Sequence, residues 1–244
     1  MTMSTMKRYR HGLVRGFLLA GLLLLGGCAG FQERMPRLVF DEAPEGQGRE
    51  SVGPCGERYA AEIGLRIDMI RQQLEQDRPR SALAHLETLG LDFAETTLMR
   101  ADALRAIGRR DEADAVYETL ATGCLAADAY HGMARNAVAR GERHEALLLM
   151  RESRLARPAD PDIRNDLGYL LLLEGRRREA REELLTALEL GGDRSRAASN
   201  LVMLLMQEGR TAEAQRLAAR YGVDGELVER LRRLARSEPG EGDE

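Results

Sequence analysis

The chain has 244 residues, 36 of them basic and 40 acidic, for a formal net charge of −4. That balance argues against a nucleic-acid binder, which needs a basic stripe. With 4% aromatics, no Trp, and Ala, Leu, Arg and Glu dominant, the composition favours helices within one good-sized domain.

The chain opens on a short basic head of Lys7, Arg8, Arg10 and Arg15, followed by an apolar run from Phe17 to Leu25 and then Gly26-Gly27-Cys28. Lys7 is the sole lysine, so the other bases are arginine. This order of charge, apolar run and small residues is that of a bacterial secretory signal. It resembles the lipobox of lipoprotein precursors, which implies that 1–27 is a signal peptide and that Cys28 is acylated as the mature N-terminus. The alternative is an ordinary signal anchor, but the uncharged run Phe17–Gly27 has 11 residues where a spanning helix needs about 20. By the same resemblance, Ala29 in place of Asp implies sorting to the periplasmic face of the outer membrane. Without 1–27 the chain carries 32 basic and 40 acidic residues, a net charge near −8.

From 28 to 56 there is no helical periodicity, and Pro36, Pro44, Gly46, Gly48, Gly53 and Pro54 punctuate the stretch. It is expected to be a flexible tether between the lipidated cysteine and a folded body. Cys55 and Cys124 are the two cysteines left over. An oxidising compartment favours their pairing, but spacing alone does not bring them together, and the sequence leaves disulfide and free thiols both open.

The body, 57–236, carries a repeat. Gly141, Gly175 and Gly209 lie 34 residues apart, and each is followed five residues later by an alanine, Ala146, Ala180 and Ala214. Gly108 with Ala113 is an earlier copy, and Asp77 with Ala82 a weaker one. Thirty-four residues is the tetratricopeptide (TPR) period, and 161–194 resembles that pattern best. There Leu167-Gly168 sits in the first helix, Gly175 at the turn, and Ala180 with Leu184 in the second helix. Small residues let two antiparallel helices approach, which places Gly168 against Ala180. The turn glycine takes a positive φ. The expected fold is all-α, a right-handed superhelical solenoid of about five TPR-like hairpins over roughly 57–223. A capping helix at about Asp224 to Arg236 and a disordered acidic tail at 237–244 complete it.

Chemistry is thinly represented. His85, His131 and His144 form no metal-ligand pattern. There is no phosphate loop or nucleophile elbow, and the pair Glu182-Glu183 falls on a solvent face. No catalytic residue, metal, cofactor or small-molecule substrate is expected. Attention therefore falls on the groove that TPR first helices line through their second, fifth, ninth, twelfth and thirteenth residues. That register selects Asp162, Asn165, Tyr169, Leu172 and Leu173 in one hairpin. It selects Arg196, Ser199, Met203, Met206 and Gln207 in the next, and Asp128, His131, Arg135, Val138 and Ala139 in the one before. Asn165, Tyr169, Leu172, Leu173, Met203 and Met206 are the candidate partner-binding set. They make either an apolar groove for an amphipathic or extended segment or internal packing beneath the capping helix.

The stretches Asn165-Asp166-Leu167-Gly168-Tyr169, Ala187-Leu188-Glu189-Leu190, Ala198-Ser199-Asn200-Leu201 and Gly209-Arg210, together with the lipobox, resemble the TPR lipoprotein of the Tad (tight adherence, Flp) pilus assembly system. The resemblance implies a non-catalytic outer-membrane scaffold that helps the pilus secretin localise or assemble, with a secretin and other pilus components as partners. The alternative is an envelope adaptor that docks a periplasmic cell-wall hydrolase or another assembly machine.

Overall fold

The computed structural model describes residues 50–237, in which pairs of helices, closed by one unpaired helix, run from Ala61 onwards. Cys28, the signal peptide, the stretch from 28 to 49 and the acidic residues after 237 lie outside the described residues.

The first hairpin joins α1 (Ala61–Glu75) to α2 (Pro79–Leu89), and the second joins α3 (Ala94–Ala106) to α4 (Arg110–Glu118). The third is α5 (Ala126–Arg140) with α6 (Arg143–Ala156), and the fourth α7 (Pro161–Leu173) with α8 (Arg177–Leu190). The fifth is α9 (Arg194–Gln207) with α10 (Thr211–Tyr221), and α11 (Gly225–Ser237) follows as the cap. This is the expected solenoid of five hairpins and a capping helix. Each second helix packs on the first helix of the next hairpin, and α11 packs on α9.

The turns explain the repeat. At Gly108, Gly141, Gly175 and Gly209 φ lies between 70° and 85°, the left-handed region that closes a helix when no Cβ is present. The residue after each glycine then donates its N–H to a carbonyl five residues back, as Arg176 does to Leu171 at 2.9 Å and Arg210 to Leu205 at 2.8 Å. Asp77 takes the same position in the first hairpin, at φ 56°, and Arg78 donates to Gln73 at 2.8 Å. The weaker copy is thus the same turn built without glycine. Helix starts follow sequence signals too. Asp160 accepts from the N–H groups of Asp162 and Ile163, with Pro161 opening α7, and Asp193 caps α9 in the same way.

The alanines five residues past the turns, Ala82, Ala113, Ala146, Ala180 and Ala214, are all fully buried. Gly168 fits between helices because a Cβ there would come within 2.7 Å of Leu184 Cγ and 3.3 Å of the Ala180 carbonyl oxygen. Leu184 is fully buried in turn, a burial that contributes about 2 kcal/mol.

One element departs from expectation. Glu50–Val52 (β1) and Arg58–Ala60 (β2) form an antiparallel pair with Ser51 opposite Tyr59, so part of the stretch read as tether is a strand hairpin. Gly53, Pro54 and Gly56 make its turn, in which Gly53 donates to the Glu57 carbonyl at 2.8 Å. Strands of three residues are too short to show alternation, and the turn residues read instead as linker. At that turn Cys55 is joined by a disulfide to Cys124, in the α4–α5 connection, with Cα atoms 5.7 Å apart, an ordinary disulfide separation. Among the described residues no helix is long and apolar enough to cross a membrane.

Candidate functional site

The first helices α5, α7 and α9 bring their N-terminal halves together through a chain of polar contacts. Asp166 on α7 is its centre. His131 Nε2 on α5 lies 2.9 Å from Asp166 Oδ2, while Arg196 on α9 donates to Oδ1 at 2.9 Å. Asn165 donates its amide to the same Oδ1 at 2.9 Å and accepts from Asn200 Nδ2 on α9, also at 2.9 Å. Arg196 further lies 3.7 Å from Asp162. Three hairpins are thereby cross-linked along one surface. Burial alone would raise the Asp166 carboxyl. The His131 bond and charge, the Arg196 guanidinium and the Asn165 amide outweigh burial and hold it below the ordinary aspartate range.

Beside this network is an open pocket of about 410 Å³, walled by Asp166, Tyr169, Arg196, Ser199, Asn200 and, from the cap, Leu227. A smaller one of about 160 Å³ continues towards the second hairpin between Asp102, Asp128, His131 and Arg135. His131 links the two, because it walls the second pocket and bonds to Asp166 in the first. Among the described residues no cluster of three His, Cys, Asp or Glu could hold a metal ion.

The six candidate residues divide. Tyr169 is 40% exposed and Leu173 37%, and with exposed Val138 on α5 they supply the apolar part of the first-helix surface. Leu172 and Met206, at 5% and 7%, are core residues. Met203 is only partly buried and packs against the same core, which also takes in Val228 and Leu231 of the cap. Of the two readings left open by the sequence, internal packing holds for Leu172 and Met206 and in part for Met203, and on α9 the cap α11 packs against the helix that carries the two methionines. Asn165 is 4% exposed and acts by holding Asp166 and Asn200 rather than by meeting solvent.

Asp166, Asn200 and Leu227 were absent from the register-based selection. Two of them had a signal: His131 and Asp166 are 35 residues apart, as are Asn165 and Asn200, so complementary side chains recur one repeat on. Leu227 had none, because its position depends on how the cap folds back.

A tetratricopeptide-repeat family profile matches residues 195–220. The TPR repeat-containing protein PA4299 of Pseudomonas aeruginosa is 35% identical over 214 residues, which is 88% of this chain and 81% of the relative. Among solved structures, MamA 41-end from Desulfovibrio magneticus RS-1 is similar with a TM-score of 0.50 and 16% identity, covering 73% of this chain and 98% of that one. A MamA RS-1 double mutant gives 0.51 at 16% identity, over 72% and 98%. At these identities the structures speak for the fold alone. The identity to the Pseudomonas relative, sustained along most of both chains, speaks for kinship: this chain belongs to the TPR-repeat proteins.

Proposed function

We propose that this protein, a TPR scaffold for protein–protein interaction, is a lipid-anchored envelope lipoprotein that supports Tad/Flp pilus assembly by holding a segment of the outer-membrane secretin. The carrying observation is the surface of α5, α7 and α9. One part is a fixed polar network through His131, Asp166 and Arg196, and the other exposes Tyr169, Leu173 and Val138. An amphipathic segment laid there meets hydrogen-bonding groups on one side and apolar side chains on the other. The network holds its own side chains in place before the partner arrives, which lowers the ordering cost of binding.

The anchor and the client rest on sequence resemblance: the lipobox at Cys28 for the first, and the repeat stretches from Asn165 to Arg210 for the second. Acylation with two or more chains makes a stable anchor, and the protein has no chemical step to perform.

Affinity capture from solubilised envelopes, with natively lipidated and C-terminally tagged protein, tests the client. Recovery of a secretin with the wild type, and its loss with a folded Tyr169→Ala/Leu173→Arg double variant, is expected. Both positions are exposed, so the variant keeps its core. Capture of a cell-wall hydrolase without any secretin would replace the pilus reading with that of an enzyme adaptor. Undiminished secretin capture by the variant would move the binding surface elsewhere on the solenoid.

A further inference from the structure

In a solenoid each hairpin touches only its neighbours, yet the Cys55–Cys124 disulfide has a sequence separation of 69. It starts ahead of the first hairpin and ends at the entrance to the third, enclosing α1 to α4. What it pins is slight. Two strands of three residues are marginal by themselves, and Val52 is 65% exposed.

The remaining hold is local: Ser51 rests on Gly64 of α1, Tyr59 packs partly buried against the cluster of Ile67, Ile70 and Leu86, and the other contacts are polar. Glu57 bridges the two bodies, accepting the Cys55 N–H at 3.0 Å with one oxygen and the Ala94 N–H, the first amide of α3, at 3.0 Å with the other. Tyr59 donates to Glu95 at 3.1 Å, and its ring lies 5.1 Å from that of Phe93. A carboxylate on a helix N-terminus, the Tyr59 side chain and the Ser51 contact orient a tethered hairpin, and they are few for the attachment of a free one.

We propose that this disulfide is a redox clasp that sets how far the solenoid stands from its N-terminal attachment. Reduction by a dithiol opens it in two exchanges. A thiolate of the reductant attacks Cys124, the more exposed of the pair, and Cys55 leaves as a thiolate. The second thiol of the reductant then displaces Cys124, so the reductant becomes a disulfide and two electrons and two protons end on the cysteines. Residues 50–60 are released from α3 and add to the connection ahead of α1. Residues 50 and 60 are paired in the closed hairpin, about 5 Å apart, so extending eleven residues at ~3.3 Å each lengthens the maximum reach by about 30 Å. The groove of α5, α7 and α9 is untouched by the change, so the same binding surface is presented at two distances. The use of that reach rests on the Cys28 anchor proposed above, whereas the release does not.

Hydrogen exchange on the full-length protein, oxidised and after treatment with dithiothreitol, reads the release. Amides of 51–60 and the Ala94 amide are expected to exchange at least about tenfold faster in the reduced form, with α7 to α10 unchanged. Equal protection at 51–60 in the two forms would overturn the proposal, as would loss of protection through all five hairpins. Reach is read by energy transfer from a donor at the C-terminus to acceptor-labelled lipids, with the lipidated protein in phosphatidylethanolamine–phosphatidylglycerol vesicles. Reduction is expected to lower the transfer, and an unchanged value with the strands released would remove the role in reach. Failure of the oxidised protein to associate with the vesicles would break the anchor reading and the clasp's role in reach, while the exchange result would still report on release.

Discussion

The ring of Tyr117 rests on the backbone of Gly132. A Cβ at that glycine would sit 2.2 Å from Tyr117 Cζ and within 2.6 Å of two further ring carbons. Tyr117 is fully buried, and its hydroxyl donates to Asp102 at 2.6 Å and accepts from Arg105 at 3.2 Å. Burial, and after it the Asp102 charge, push the phenol far above its ordinary value, so it stays a donor. The second and third hairpins are therefore joined by a large ring seated on a residue without a side chain.

Because the hydroxyl is tied at both bonds, the ring cannot retreat from an added methyl. Gly132→Ala is expected to cost about 2–3 kcal/mol through overpacking, measured by urea unfolding. Tyr117→Leu in the same background should recover part of that loss. Strict additivity in the double-mutant cycle would mean that the ring and the glycine are not in contact.

Glu57 offers a second test, of the contact that orients the strand hairpin. Glu57→Ala removes the carboxylate from the first amide of α3 and is expected to cost about 1 kcal/mol, the usual size of a helix cap. Exchange at Ala94 should quicken while α7 and α8 keep their protection. An unaffected Ala94 amide would show that solvent satisfies it equally well.

The repeat was legible because its turn chemistry is unforgiving. Glycine takes the positive φ at Gly108, Gly141, Gly175 and Gly209 without a Cβ penalty, and the alanines five residues on are fully buried. Helix count and cap followed from that. The strand hairpin was hidden because three-residue strands have no periodicity, and because Gly and Pro mark a tight turn as readily as a linker. The groove register placed Tyr169 and Leu173 in the open but failed for Leu172 and Met206. Local sequence shows that a helix is apolar all round; which side the cap covers is a tertiary fact. Asp166 escaped because it lies one residue outside the register, although its partner His131 was inside it.

Asp77 is the one non-glycine residue with positive φ among the described residues. Left-handed backbone costs an ordinary L residue roughly 1–2 kcal/mol, and glycine returns part of that through its larger unfolded-state entropy. Asp77→Gly is thus expected to raise stability by up to about 1 kcal/mol. In the reverse sense, Gly175→Ala should lower it by about 1 kcal/mol. Space is not the cause there, since nothing lies within 4 Å of an added Cβ. Thermal unfolding of both variants checks the pair, and a neutral Gly175→Ala would mean that this turn tolerates a side chain at φ 70°.

The network at the groove gives a prediction in pH. The folded-state value of Asp166 lies below the ordinary one, since His131, Arg196 and Asn165 outweigh the cost of burial. Its contribution to stability is therefore complete above the unfolded value of about 4 and is lost as pH falls through the folded value. The side chain is 22% exposed, so the bonds are only partly screened. Asp166→Asn at pH 7 is expected to cost about 1–2 kcal/mol, the range for charge-assisted bonds near solvent. In acid the wild-type carboxyl becomes protonated and resembles the amide, so the two stabilities should converge as pH drops from 4 towards 2. Unfolding curves at pH 7, 5, 4, 3 and 2.5 would show it. A gap of constant size across that series would mean that the carboxylate is not what ties α5, α7 and α9 together, and the polar side of the groove would need another explanation.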